Sequence, residues 1–262
     1  MGSSAGSVMA PPAVRPARRC GPVSSHRRRR RRNRLPWVLA GAAVVLVLAV
    51  GGPFVYIHFF EGAAPAPLSL GTSASPSATG SGQDTAAAPL AGTWTVAPGT
   101  RAGYRVNEVL LGQNNVAVGR TNSVAGHLTI RQTAVTAGTF TVQMSTIRSD
   151  KSRRDMQFDG RIMDVATYPT GTFTLTRSIS LAPVPATGKV VTYRATGNLT
   201  LHGHTRQVTF PLSAQRTATQ IRVSGSIPVT FADWGIPNPS FASVVTTENH
   251  GLLEFLLVFR RA

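Results

Sequence analysis

The chain has 262 residues, of which 42% are hydrophobic, a formal net charge of +17 and one cysteine, Cys20. A single cysteine excludes a disulfide framework within the chain. The charge is unevenly placed: ten of the 27 basic residues and no acidic residue precede Trp37, and from Glu61 onward seventeen basic residues face ten acidic ones, a net +7 without a basic run, so no nucleic-acid partner is expected.

Residues 1–36 hold Gly, Ser, Pro, Ala and Arg with almost nothing apolar to bury, and read as a disordered cytoplasmic tail. Six consecutive arginines, from Arg27 to Arg32, give this tail an attraction for anionic lipid headgroups. Residues 37–60 carry no charged side chain, and as a helix they would span roughly 36 Å, more than a hydrocarbon core of about 30 Å. This segment is too long for the apolar region of a cleaved signal peptide, and Pro65 lies close to the only small-residue site, so an uncleaved transmembrane anchor is expected. Arginine-rich flanks stay in the cytoplasm, which predicts a single-pass cell-membrane protein with its C-terminal part extracytoplasmic. Trp37 and the aromatics Phe54, Tyr56, Phe59 and Phe60 suit the two interfaces. Residues 61–90, rich in Ala, Pro, Ser and Gly, read as a flexible linker.

Residues 91–262 form the one segment with the pattern of a packed domain, and at that size a core needs no disulfide. Apolar residues alternate with Thr, Ser and Arg, as in Phe140-Thr141-Val142-Gln143-Met144, Phe173-Thr174-Leu175, and Leu199-Thr200-Leu201. Period two with abundant threonine predicts strands, near 94–106, 115–130, 138–147, 171–181, 190–202, 206–215, 220–231 and 252–261. H-G-H-T at 202–205 reads as a hairpin turn, and the charged stretch 150–166 as a short helical insertion. The last strand, apolar on both faces apart from Glu254, is expected to turn one face to the interior and the other under that insertion. The predicted fold is therefore mostly β: an eight-stranded antiparallel up-and-down barrel, lipocalin-like, with a short helical insertion and one preceding transmembrane helix.

Several motifs stand in a specific order: T-W-T-V-A-P-G-T from Thr93, S-T-I-R-S-D-K-S-R-R-D-M-Q-F-D at 145–159, M-D-V-A-T-Y-P-T-G-T-F-T-L at 163–175, G-N-L-T-L-H-G-H-T-R-Q-V-T-F at 197–210 and F-A-D-W-G-I at 231–236. Together they resemble the YceI-like family of bacterial polyisoprenoid-binding proteins over about Gly92 to Arg261. The resemblance implies a lipocalin-like barrel whose interior takes an isoprenoid chain, as in an isoprenoid quinone or a polyprenyl lipid. One departure is Ile162-Met163-Asp164, where the family has Phe-Phe-Asp.

Other chemistry finds little support. His202 and His204 could face the same way on a strand, with His127 or His250 as a distant third ligand, but two ligands alone make a weak metal site, and polar turn residues are the simpler reading. Asp150, Asp155, Asp159 and Asp164 lie among Lys151, Arg153, Arg154 and Arg161, a pattern that helix ion pairs explain without acid–base catalysis. No nucleophile elbow, phosphate-binding loop or dinucleotide fingerprint occurs. Neither an enzyme nor a cofactor is expected. Phe140, Val142, Met144, Phe173, Leu175, Leu199, Leu201, Phe210 and Trp234 are the ligand-binding candidates, assigned to the interior by their apolarity. Two functions remain open: a membrane-anchored carrier of an apolar lipid, or an interaction module whose barrel is packed solid. Small residues at Ala195, Gly197 and Gly225 favour an open interior, although glycine in strands also marks bends. Oligomeric state is not encoded in any motif.

Overall fold

The computed structural model describes residues 35–60, 64–71, 89–110, 112–240 and 245–262. The arginine-rich tail with Cys20, and most of the linker, lie outside the described residues. The chain divides into two compact units, Met1–Leu46 and Val47–Ala262. Helix α1 (Leu35–Phe60) is 26 residues long. Its side chains are described at 38–48 and 51–52, and those of Val38, Leu39 and Val44 to Leu48 are exposed. Among the described residues no helix is long and apolar enough to cross a membrane. The aromatic side chains expected at the interfaces, Trp37, Phe54, Tyr56, Phe59 and Phe60, lie outside the described set.

Within the second unit, twelve strands form one antiparallel sheet: β1 (Gly92–Val96), β2 (Arg101–Leu110), β3 (Gln113–Thr121), β4 (Val124–Arg131), β5 (Ala134–Gln143), β6 (Thr170–Leu175), β7 (Ile179–Ser180), β8 (Val190–Leu201), β9 (His204–Arg216), β10 (Gln220–Thr230), β11 (Val245–Thr247) and β12 (His250–Arg261). The sheet closes because β12 pairs with β10 along one edge and with both β1 and β2 along the other. Trp94 lies opposite Arg261 and Arg101 opposite Leu256, so β1 and β2 are two halves of one stave. β3 and β4 are likewise two halves of the next, pairing β2 and β1 in turn. Counted as staves, the barrel has eight strands, and β7 and β11 are short additions on β5 and β2.

The break in the first stave has a local cause. Pro98 has no N–H to offer a ladder, and Gly99 takes φ 97°, a conformation that glycine adopts without strain. Thr100 repairs the gap: its hydroxyl accepts from Val258 N at 2.9 Å and lies 3.3 Å from Val258 O. The hairpin at 202–205 forms as its sequence predicts, with His202 and Gly203 both at positive φ and Leu201 opposite His204. The insertion is α2 (Ser152–Gln157) running into a π-helical turn, Phe158–Ile162.

The apolar core has two clusters. One contains Met144, Phe158, Met163, Ala195, Leu199, Leu201, Phe210, Phe231 and Trp234; the other contains Trp94, Leu128, Ile130, Ile221, Leu257 and Phe259, with Phe255 packed against both. β12 sends Leu253, Phe255, Leu257 and Phe259 inward, so Glu254 points outward.

The outward face of β12 does not have the neighbour expected from the sequence. Glu254, only 4% exposed, receives a hydrogen bond from Arg105 Nε at 2.7 Å and lies 3.4 Å from Arg120 Nη2. The same two guanidinium groups donate to main-chain carbonyls of a strap, Ala64–Gly71: Arg105 to Pro65 O at 2.5 Å, and Arg120 to Ala66 O. The charged insertion pairs elsewhere. Arg154 binds Asp150 and Glu108, and Arg161 binds the carbonyls of Asn238 and Pro239. The physical reason is valence: two arginines flanking Glu254 on β2 and β3 satisfy it, which leaves spare donors that carbonyls of an extended, proline-containing segment can meet. Thus part of the stretch expected to be a flexible linker is held against the barrel.

Candidate lipid cavity

Inside the barrel is a cavity of about 320 Å³, lined by residues from both apolar clusters. That volume lies near the lower end of the roughly 300–1,000 Å³ of small-molecule sites. The interior is therefore not packed solid. Its wall is almost wholly apolar because each stave contributes alternate residues: Phe140 and Val142 from β5, Phe173 and Leu175 from β6, Ala195, Leu199 and Leu201 from β8, and Phe210 and Leu212 from β9. The aromatic rings meet edge to face, as such quadrupoles prefer. Phe173 and Phe210 have centroids 5.4 Å apart, Phe210 and Phe255 5.8 Å, and Phe140 and Phe259 are tilted at 5.6 Å.

Eight of the nine residues singled out from the sequence, Phe140, Val142, Met144, Phe173, Leu175, Leu199, Leu201 and Phe210, line this one cavity. Trp234 does not. It sits in the 3-10 turn Phe231–Trp234, buried in the first cluster, with the Arg206 guanidinium 6.0 Å from its ring centre. A 3-10 turn has no period of two, so alternation could not say which way that side chain points. The small residues divide in the same manner. Ala195 faces the cavity, whereas the places a Cβ would take at Gly197 and Gly225 are filled by the rings of Phe173 and Phe255, at 2.4 and 2.7 Å.

The two ends of the cavity differ. Register places Lys189, Gln215 and Arg216 at one end, with Leu90, Val184 and Pro185. At the other end α2 and β11 meet β2, and Tyr104, Glu108, Arg154 and Thr247 line the wall. Tyr104 stacks on Phe158 at 5.1 Å and 15°. Burial, with the carboxylates of Asp155, Glu108 and Asp150 nearby, pushes its phenol well above the ordinary range despite the opposing charge of Arg154, so it stays protonated. Arg154 Nη2 lies 3.3 Å from Glu108 Oε1, which also accepts from Asn115 Nδ2 at 2.8 Å.

Sequence reasoning missed Tyr104 and Val106, whose alternation with Arg101, Gly103, Arg105 and Asn107 carries the signal. It had no signal for Ile147, Phe158, Leu181, Val184 and Ile236, which come from loops and turns without a period. Ile162 and Met163, at the positions where the pattern departs from Phe-Phe-Asp, both line the cavity.

Among the described residues the histidines do not gather. The His202 ring is tilted at 55° against that of Tyr168, with centroids 4.5 Å apart, and His204 lies under Gly235. Among the described residues no cluster of three or more His, Cys, Asp or Glu could hold a metal ion. Asp155 accepts from both the N–H and the hydroxyl of Ser149, at 2.8 and 2.7 Å, and Arg148 lies 3.5 Å from Asp159, so these acids hold the insertion together.

The profile of the YceI-like domain matches residues 94–259. No curated protein matches the chain. Among solved structures, a polyisoprenoid binding domain from Saccharophagus degradans, implicated in plant cell wall breakdown, is similar at 17% identity and a TM-score of 0.54, over 64% of this chain and 98% of that one. BcnA of Burkholderia cenocepacia is 20% identical with a TM-score of 0.46, over 59% of this chain and 95% of its own. The Campylobacter jejuni YCEI protein is 14% identical with a TM-score of 0.39, over 52% and 82%.

Proposed function

We propose, from the premise that this chain belongs to the YceI-like domain family, that its barrel binds an apolar isoprenoid-type lipid, an isoprenoid quinone or a polyprenyl lipid, as a carrier rather than an enzyme. The observation that carries this reading is the almost wholly apolar cavity of about 320 Å³ inside the barrel. The Saccharophagus degradans domain of similar fold is described as polyisoprenoid binding. An isoprenoid tail that buries several hundred Å² at about 25 cal/mol per Å² gains on the order of 10 kcal/mol before ordering costs. That is sufficient for retention through purification, with neither a metal nor a covalent link.

The test is solvent extraction of the purified protein followed by mass spectrometry, with Phe140→Arg and Leu175→Arg together as a folded control that fills the cavity with charge. The wild type is expected to yield an isoprenoid lipid, or to take up added isoprenoid quinone, and the control neither. A wild type that does neither returns the barrel to an interaction module.

The reading extends to residues 37–60 as a membrane anchor, with the arginine-rich tail on the cytoplasmic, anionic leaflet and the barrel outside. An impermeant thiol reagent applied to intact cells is expected to label a Ser81→Cys variant and to leave Cys20 unlabelled. The reverse pattern would invert the topology.

A further inference from the structure

The staves of the barrel are not laddered equally. β8 and β9 pair at twelve positions and β10 and β12 at eleven, whereas β9 and β10 pair at only five, Ile221–Gly225 against Leu212–Arg216. Both strands run on beyond that ladder, β9 back to His204 and β10 forward to Thr230. The cause is proline. Continuing the register would set Ser226 against Pro211 and Pro228 against Thr209, and neither proline has an N–H to give. A sheet tolerates proline where its nitrogen faces away from a paired strand, and each of these is paired on its other side, Pro211 with Arg194 and Pro228 with Leu252. Between β6 and β8 the reason is different, since that ladder stops where β6 itself ends, at Leu175.

The wall is thin along this stretch. On its inner side Phe210, Ile227 and Val229 line the cavity. On its outer side is a cleft between Val208 of β9 and Pro228 of β10, and Val229 borders cleft and cavity alike. A single clasp crosses from strand to turn: the Arg206 guanidinium donates to the carbonyl of Asp233 and lies 4.0 Å from its carboxylate, over the ring of Trp234. Both side chains of that ion pair are half-exposed, so the clasp is weak. Parting β9 from β10 here breaks the clasp and some apolar contacts, whereas parting laddered staves also breaks backbone hydrogen bonds. The route past Lys189, Gln215 and Arg216 would instead draw an apolar chain across polar side chains.

We propose that the unladdered stretch, residues 206–211 of β9 and 226–230 of β10, is the portal through which an isoprenoid chain enters and leaves the cavity, with Arg206 on the Asp233–Trp234 turn as its latch. The inference rests on the carrier reading and adds the route its ligand takes. Val208 and Val229 stand opposite one another when the register is continued. The chain passes sideways between them and meets Phe210 and Ile227 inside.

The experiment uses the full-length chain in nanodiscs, loaded with geranylgeraniol and then supplied with the deuterated alcohol. Native mass spectrometry of the released protein reads two quantities: the fraction that carries the alcohol, and the rate at which the heavy form replaces the light. Gln207→Cys and Thr230→Cys, at exposed positions opposite each other across the portal, are combined with Cys20→Ser and joined by a short bismaleimide. Linking is expected to slow exchange at least about tenfold relative to the same variant unlinked, with occupancy unchanged. A control link across a laddered seam, Thr192→Cys with Ser213→Cys on β8 and β9, should leave the rate as it was. Arg206→Ala is expected to speed exchange about two- to fivefold, the worth of an exposed ion pair, and Arg206→Lys should keep most of the wild-type rate. A linked protein that is occupied and exchanges as fast as its unlinked form overturns the portal and leaves the carrier reading intact. If Val184→Trp slows exchange in that case, the chain passes at the Lys189 end. If no geranylgeraniol is carried by any form, the carrier reading falls and this inference falls with it.

Discussion

Phe259→Ala is expected to cost the barrel about 3–5 kcal/mol, a large fraction of the roughly 5–15 kcal/mol that holds a domain folded. Phe259 has no exposed surface and shares its cluster with Trp94, Leu128, Ile130, Ile221 and Leu257. Its ring leans on Phe140 at 5.6 Å, and its main chain lies opposite Val96 on one side and Ile221 on the other. Removing the ring therefore opens a void where two staves and the closing strand meet, and those backbones are too tightly laddered to collapse into it. Leu175→Ala, at a side chain that is only partly buried, should lie at the low end of such substitutions, near 2 kcal/mol. Urea unfolding of both variants checks this, with the difference read from the midpoint at unchanged slope. Equal losses would mean that the barrel packs as tightly around Leu175 as around Phe259.

The second large effect concerns Glu254. Its carboxylate is buried between Arg105 and Arg120, and truncating one member of such a group leaves charges unmatched, at a cost of about 3 kcal/mol. Glu254→Ala should therefore unfold at distinctly lower urea. Replacing all three members with apolar residues, Arg105→Met, Arg120→Met and Glu254→Leu, should restore most of the loss, because the desolvation penalty disappears with the charges. An alanine variant within about 0.5 kcal/mol of wild type would show that the network adds nothing to stability.

The sequence was most legible where the chain is most repetitive. Phe140, Phe173, Leu199 and Phe210 line one cavity, and each sits in a row of period two on a strand that has only two faces. The H-G-H-T hairpin and the helical insertion were equally readable, the first from its turn residues and the second from its charges. Legibility failed wherever the backbone leaves that period. Trp234 is displaced by a 3-10 turn, and the first stave is split at Pro98-Gly99 although its alternation resumes beyond. Thr247 belongs to a strand of three residues, too short to show a pattern. The strap was hidden for a different reason: A-P-A-P-L-S-L-G has linker composition, and what holds it is a pair of arginines some 40 and 54 residues further along the chain. Composition reports what a segment can bury by itself and is blind to a surface prepared elsewhere.

That strap also determines how the domain would carry a mechanical load. Ala64–Gly71 is gripped by side chains of β2 and β3, not by β1, the strand that follows it in sequence. Tension from the N-terminal side therefore reaches the barrel first through the Arg105 and Arg120 contacts, and β1 is spared while they hold. Once they part, force next meets the barrel at Pro89 and Leu90, whose carbonyls accept from Arg261 Nη1 at 3.1 Å and Trp94 Nε1 at 2.9 Å. The first stave then bears it along its length, laddered to β4 on one side and β12 on the other, so the ladder bonds are sheared together instead of being unzipped one by one. A weak clasp in series with a strong seam gives before the barrel opens.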